Sequence, residues 1–199
     1  MIQIKLITAL ISSVVGVMTM APVAMSKPHR PVASCSLRYP DHCANINQLV
    51  GDPEFRKELS IVLADRREDL FHYKENTSTQ VLAALSGPPD PSFKLRDGGY
   101  LFSGCRFQSC SEKAAVIIDA SHHVSGVGVI YYLGTPLRRQ PSRIIYQAGD
   151  RCRLDTSVLT RWSDEKLKDM GSGRAFAKTA VIRVRAAAGS RRACPGKSR

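Results

Sequence analysis

Apolar and polar positions recur with two different periods along this chain, and the change of period separates a helical part from a strand-rich part. Phe55, Leu59, Val62 and Leu63 recur at helical spacing, opposite Arg56, Lys57 and Arg67. That stripe predicts an amphipathic helix resting one face on a core. Its start is marked by Asp52-Pro53-Glu54. Asp52 can accept from free backbone amides, Pro53 has a helical φ and no amide to leave unpaired, and Glu54 suits the positive helix end. A shorter helix is expected over residues 79–85, capped by Ser78 or Thr77 and stopped by Gly87-Pro88-Pro89-Asp90-Pro91.

From Phe93 onward the period is two. Phe93 and Leu95 alternate ahead of Asp97-Gly98-Gly99, a turn signal leading into Tyr100. Strands over 93–96 and 100–103 therefore read as a hairpin. Cys105 to Cys110 reads as a short loop, followed by a deeply buried strand over 113–119. Ala120-Ser121-His122-His123 is the next turn. Val124 to Tyr132 follows, with Val127, Val129 and Tyr131 on one face and Gly126, Gly128 and Ile130 on the other. The glycines there mark a bulge or a close backbone approach. Ser142 to Tyr146 is a fifth strand. The pattern predicts an α+β fold, an antiparallel β-sheet of about five strands with an amphipathic helix packed on one face. Beyond Cys152 the periodicity weakens: helical segments around Val158, Leu159 and Trp162 and over 166–170, and a last strand over 179–184.

At the other end of the chain, Lys5 precedes the apolar run from Leu6 to Val17, and Ala24-Met25-Ser26 fits a small-residue cleavage site. Residues 1–26 are thus expected to be an export signal, placing the mature protein in the periplasm or outside the cell. In that compartment the six cysteines, Cys35, Cys43, Cys105, Cys110, Cys152 and Cys194, are expected to form disulfides. Six cysteines allow fifteen pairings. Local spacing favours Cys105–Cys110, then Cys35–Cys43, leaving Cys152–Cys194 by elimination. Zinc is the weaker use of these thiols, because neither local pair has a two-residue gap and only His42 sits beside a cysteine.

Charge alters the picture at the C-terminal end. The chain has 199 residues and a net charge of +12, and residues 138–199 hold 16 basic and 5 acidic side chains. The 137 residues before them carry 13 and 12. A cationic segment on a nearly neutral body suits a polyanion such as an anionic envelope polymer, or a solubilising role. No aromatic residues interleave the terminal arginines, so no nucleic-acid partner is expected.

Catalytic chemistry finds little footing. His122 and His123 are adjacent in a turn and would point to opposite faces of a strand, so they do not chelate one ion and read as solvated. No serine sits in a nucleophile-elbow pattern. Glu112 and Asp119 are the carboxylates near the central loop, and one strand of separation puts them roughly 20 Å apart, too far to flank one bond. The glycines make no phosphate-binding pattern before a helix. No enzyme, no cofactor and no metal site is expected.

The helix opened by an acidic residue, the aromatic strand, the Cys-x-x-x-x-Cys loop, the buried strand, the turn and the Gly-containing strand together resemble the inhibitor of vertebrate lysozyme family (Ivy) of bacterial periplasmic proteins. The resemblance covers roughly Asp52 to Tyr132, and the four-residue cysteine loop is its most specific part. It implies an antiparallel sheet with a helix against it, and a disulfide-bonded loop that enters and blocks the lysozyme cleft. The family's loop reads Cys-Lys-Pro-His-Asp-Cys. Here Arg106 stands at the lysine position, Phe107 at the proline, Gln108 at the histidine and Ser109 at the aspartate. Residues Cys105, Arg106, Phe107, Gln108, Ser109 and Cys110 are accordingly the expected partner-binding loop. Arg106 would supply the charge-assisted bonds, since a glutamine donates hydrogen bonds but carries no charge. The expected partner is a lysozyme or other peptidoglycan hydrolase; the alternatives are another exported protein, as for an immunity module, and an anionic envelope polymer. The expected organisation is a linker with a disulfide loop over 27–51, an inhibitor-like domain over 52–154 and a basic, partly disordered extension over 155–199.

Overall fold

A computed structural model describes residues 34–64, 66–72, 74–133, 140–148, 156–171 and 175–184. Their centre is a six-stranded sheet in sequential order: β1 (Phe93–Lys94), β2 (Tyr100–Arg106), β3 (Ser109–Ile118), β4 (Val124–Leu133), β5 (Gln140–Ala148) and β6 (Lys178–Val184). The first five strands pair antiparallel, and β6 runs parallel to β5. Parallel neighbours need a crossover, and helix α4 (Ser157–Asp169) lies between these two strands in sequence. Helices α1 (Ile46–Val50), α2 (Pro53–Leu63) and α3 (Thr77–Leu85) pack on the opposite face from α4. The expected α+β sheet with a helix against it is present, with helices on both faces.

Strand alternation sorts the two cores. Val127, Val129 and Tyr131 join Phe55, Leu59, Val62 and Leu63 in the larger one. Ile130, Ala115, Ile117 and Ile145 meet Leu159 and Trp162 of α4 in the smaller. Gly128 is the close approach: a Cβ there would stand 3.2 Å from both Leu159 Cδ2 and Trp162 Cζ3. A single helix runs where two segments were expected, because Leu159, Trp162, Ser163 and Leu167 form one continuous buried stripe. Arg143 of β5 fastens it, donating to Thr160 O, Ser163 Oγ and Asp164 Oδ1 and lying over the Phe176 ring.

The described parts of two segments expected as appendages belong to the fold. Within 27–51, Leu37, Ile46 and Leu49 are core residues, and Asn45 caps α1 by accepting from Asn47 N. Asp52 caps α2 through Oδ1 and accepts from Leu37 N through Oδ2, so one carboxylate ties the Cys35–Cys43 turn to the helix. Within 155–199, α4 and β6 complete the smaller core and the sheet. Helix α3 begins at Thr77 and is capped by Asn76, not by Ser78 or Thr77. The Thr77 hydroxyl is directed elsewhere, accepting from Glu68 N.

The turns follow their sequence signals. Asp97 accepts from Gly99 N, and Gly98 takes a φ of 87°. Asp119 Oδ1 accepts from Ser121 N and His123 N in the β3–β4 turn. His122 is exposed there, but His123 is not a solvated side chain: its Nδ1 lies 3.3 Å from Glu58 Oε2 of α2. No helix among the described residues is long and apolar enough to cross a membrane. The expected export signal, residues 1–26, lies outside the described residues.

Candidate functional site

The cysteine segment is a hairpin, not a loop between separate strands. Arg106 of β2 pairs with Ser109 of β3, so only Phe107 and Gln108 form the turn. Gln108 occupies the left-handed region at φ 61°, which few residues other than glycine adopt. Cys105 and Cys110 are bonded, with their Cα atoms 4.7 Å apart. Cys35–Cys43 forms the second bond, also at 4.7 Å. Cys152 and Cys194 lie outside the described residues.

Behind the turn the register slips. Cys105 pairs with Lys113 while Arg106 pairs with Ser109, leaving Cys110, Ser111 and Glu112 as a bulge in β3. Bulges re-aim side chains, and this one turns Glu112 inward to a side-chain exposure of 6%. There its Oε2 accepts from Arg106 Nε and forms an ion pair with Nη2 of the same guanidinium. The Arg106 guanidinium also lies over the Phe71 ring, 5.8 Å from its centroid. Arg106, expected to supply the outward charge, is instead folded back onto its own protein. Phe107 is left 70% exposed, with Gln108 exposed beside it and Ser109 half-buried.

Two supports hold this turn. The first is the chain after α3. Cys105 N donates to Pro88 O, Asp90 N donates to Ser103 O, and Pro89 bridges to Gly104. These bonds cover the edge of β2 beyond the two-residue strand β1. Gly87 sits so close that a Cβ would come 2.1 Å from Cys105 O and 2.8 Å from Phe107 N. The second support starts at Gln80 of α3, which is fully buried. Its Nε2 donates to Glu68 O and Glu75 O, and its Oε1 accepts from Phe71 N and His72 N. One amide side chain thereby fixes the segment that carries Phe71, and Phe71 carries Arg106.

A second polar cluster lies at the base of the hairpin on the α4 side. Asp90 accepts from the Ser103 hydroxyl at 2.7 Å and from Lys166 Nζ at 3.1 Å, with Lys113 Nζ at 3.8 Å. Burial pushes the Asp90 carboxyl up, but the Ser103 hydrogen bond and the two lysines outweigh it and hold it below the ordinary carboxylate range. Burial, partly opposed by Asp90, lowers the Lys113 ammonium. Ser103 is buried and donates to a carboxylate, so the cluster pins three elements together and offers no exposed nucleophile. Asp90→Asn is expected to lower stability at pH 7 by about 2 kcal/mol, since Lys113 and Lys166 would lose their shared carboxylate. The native carboxyl titrates below its unfolded value of about 3.9. Its contribution is therefore complete above that pH and is lost as pH falls through the lower native value. Urea unfolding at pH 7 and near pH 3 checks this: the gap between wild type and variant should narrow in acid.

Among the described residues, no three His, Cys, Asp or Glu side chains gather in a way that could hold a metal ion. Sequence reasoning found Cys105 and Cys110 but missed Glu112, Phe71, Gln80, Asp90 and Lys166 as supports. Charged and amide residues carry no periodic signal, and Lys166 and Asp90 meet across 76 positions. Comparison with protein-family models, with curated proteins and with solved structures found no match.

Proposed function

We propose that this is an exported, non-enzymatic binding protein that engages a peptidoglycan hydrolase of the lysozyme type by inserting the Phe107–Gln108 tip of the β2–β3 hairpin into its cleft. The observation that carries the reading is the tip itself: a two-residue turn closed by a disulfide, backed by Gly87 and presenting an exposed aromatic ring. A preorganised element of this kind loses little entropy on binding. Its resemblance to the lysozyme-inhibitor family supports the choice of partner. The two disulfides support a periplasmic or secreted location.

A polyanion-binding reading through the basic C-terminal part has weaker support. Arg143 and Lys166, which contribute to that charge, are engaged inside the domain with Asp164 and Asp90. The oxidised protein is expected to slow lysis of a peptidoglycan suspension by a c-type lysozyme, and a soluble N-acetylglucosamine oligosaccharide should compete with it for the enzyme. Binding that the oligosaccharide leaves untouched would move the contact away from the cleft. Absence of any effect across a panel of lysozymes, with another exported protein captured instead, would favour the immunity-module alternative.

A further inference from the structure

Resting on that reading of the hairpin, we propose that Phe107 is the specificity-determining anchor, and that the partner receives it in an uncharged apolar pocket rather than through carboxylates addressed by Arg106. Three observations converge on the ring. The cation next to it is already committed, because Arg106 places two nitrogens on the Glu112 carboxylate and lies over the Phe71 ring. Turning Arg106 outward would strand Glu112, 6% exposed, without a counter-ion, and an unpaired buried charge is strongly disfavoured. Phe107 is the most exposed large apolar side chain among the described residues, and it stands at the turn where the chain reverses. Its neighbours across the turn, Gln108 and Ser109, are polar and uncharged.

The backbone beneath the ring is held from three sides: the Cys105–Cys110 bond, the Arg106↔Ser109 pair and the close contact with Gly87. Binding therefore has to order little beyond the two χ angles of the ring. Aromatic side chains in that situation dominate binding energies, because they bury a large area at low entropy cost. An apolar anchor also fits a protein of net charge +12 better than a charge-based one does. Against a cationic enzyme, the long-range field opposes approach and no exposed tip cation offsets it at contact. Salt would then screen a repulsion, not an attraction.

The test uses the full oxidised protein and a c-type lysozyme as the probe, with affinity measured by titration and lysis followed in parallel at low and high salt. Phe107→Ala is expected to weaken binding by about 30-fold or more, the scale of a hot-spot truncation. Phe107→Leu should recover most of that loss. The double variant Arg106→Met with Glu112→Gln, which removes the ion pair as a unit, should lose less than about fivefold. Wild-type affinity should hold or rise between about 50 and 300 mM salt. Because the ring is exposed, Phe107→Ala should keep the wild-type melting temperature and both disulfides, which separates loss of contact from loss of fold.

Wild-type inhibition retained by Phe107→Ala would overturn the anchor while leaving the hairpin reading in place. So would affinity that falls about tenfold with salt and is lost in the Arg106→Met, Glu112→Gln variant. A wild-type protein that neither binds nor slows the enzyme would overturn both.

Discussion

Gly87→Ala is expected to lower stability by about 3 kcal/mol and to abolish whatever the hairpin tip binds, although residue 87 lies outside the tip. The atoms that a methyl group would meet are Cys105 O, Phe107 N and the Arg106 carbonyl carbon, at 2.1, 2.8 and 3.1 Å. All three are backbone, so no side chain can swing aside. Either the turn or the segment after α3 must retreat, and retreat breaks the Cys105 N to Pro88 O bond and the Pro89–Gly104 bridge. Overpacking alone costs about 1–3 kcal/mol, and a lost buried hydrogen bond adds about 1. Urea unfolding gives the stability change, and lysozyme titration gives the effect on the tip. A variant within about 0.5 kcal/mol of wild type would show that the segment behind the hairpin yields freely.

Gln80→Ala should cost a comparable amount, about 3 kcal/mol, by a different route. Four backbone groups depend on that one amide: Phe71 N, His72 N, Glu68 O and Glu75 O. Alanine fills less space and satisfies none of them, and each buried group left unpaired is penalised unless water reaches it. Hydrogen exchange provides the local readout. The amides of Phe71 and His72 should lose protection well before those of the central strands, because the segment would open without global unfolding. Protection at Phe71 and His72 that matches wild type would mean that Gln80 is not what fixes the segment. With Phe71 freed, Arg106 loses its aromatic platform, so some weakening at the tip should accompany the loss of order.

The legible and illegible parts of this fold divide by the range of the forces involved. Asp52-Pro53-Glu54 announced α2 because capping, proline φ and helix polarity act within one turn. The faces of β4 were legible because alternation is set by the strand itself; its glycines read as a bulge or a close approach, and only the fold shows that Gly128 is where Trp162 approaches. Helix α1 was missed, as five residues carry too little pattern to outweigh a linker reading. β6 was read as a strand but not as part of the sheet, because a parallel partner depends on a crossover helix whose docking is tertiary. At the candidate site, a four-residue gap between cysteines is equally compatible with an open loop and with a hairpin followed by a bulge. Only the register of β2 against β3 decides between them, and that register turns Glu112 inward and takes Arg106 with it. A lone arginine between cysteines reads as an offered charge until its counter-ion is placed.

The parallel pairing of β5 and β6 has a consequence for how this protein could be displayed. Arg106↔Ser109 closes one end of the sheet, the same end at which β5 and β6 begin near Ser142↔Lys178. Ala148↔Val184 closes the other, six residue pairs further along, or roughly 20 Å. Val184, the last described residue, therefore lies at the end remote from Phe107. A tether attached directly after Val184, whether a biotin on a sensor chip or a fused partner, would thus be rooted at the base of the sheet with the aromatic ring at its summit.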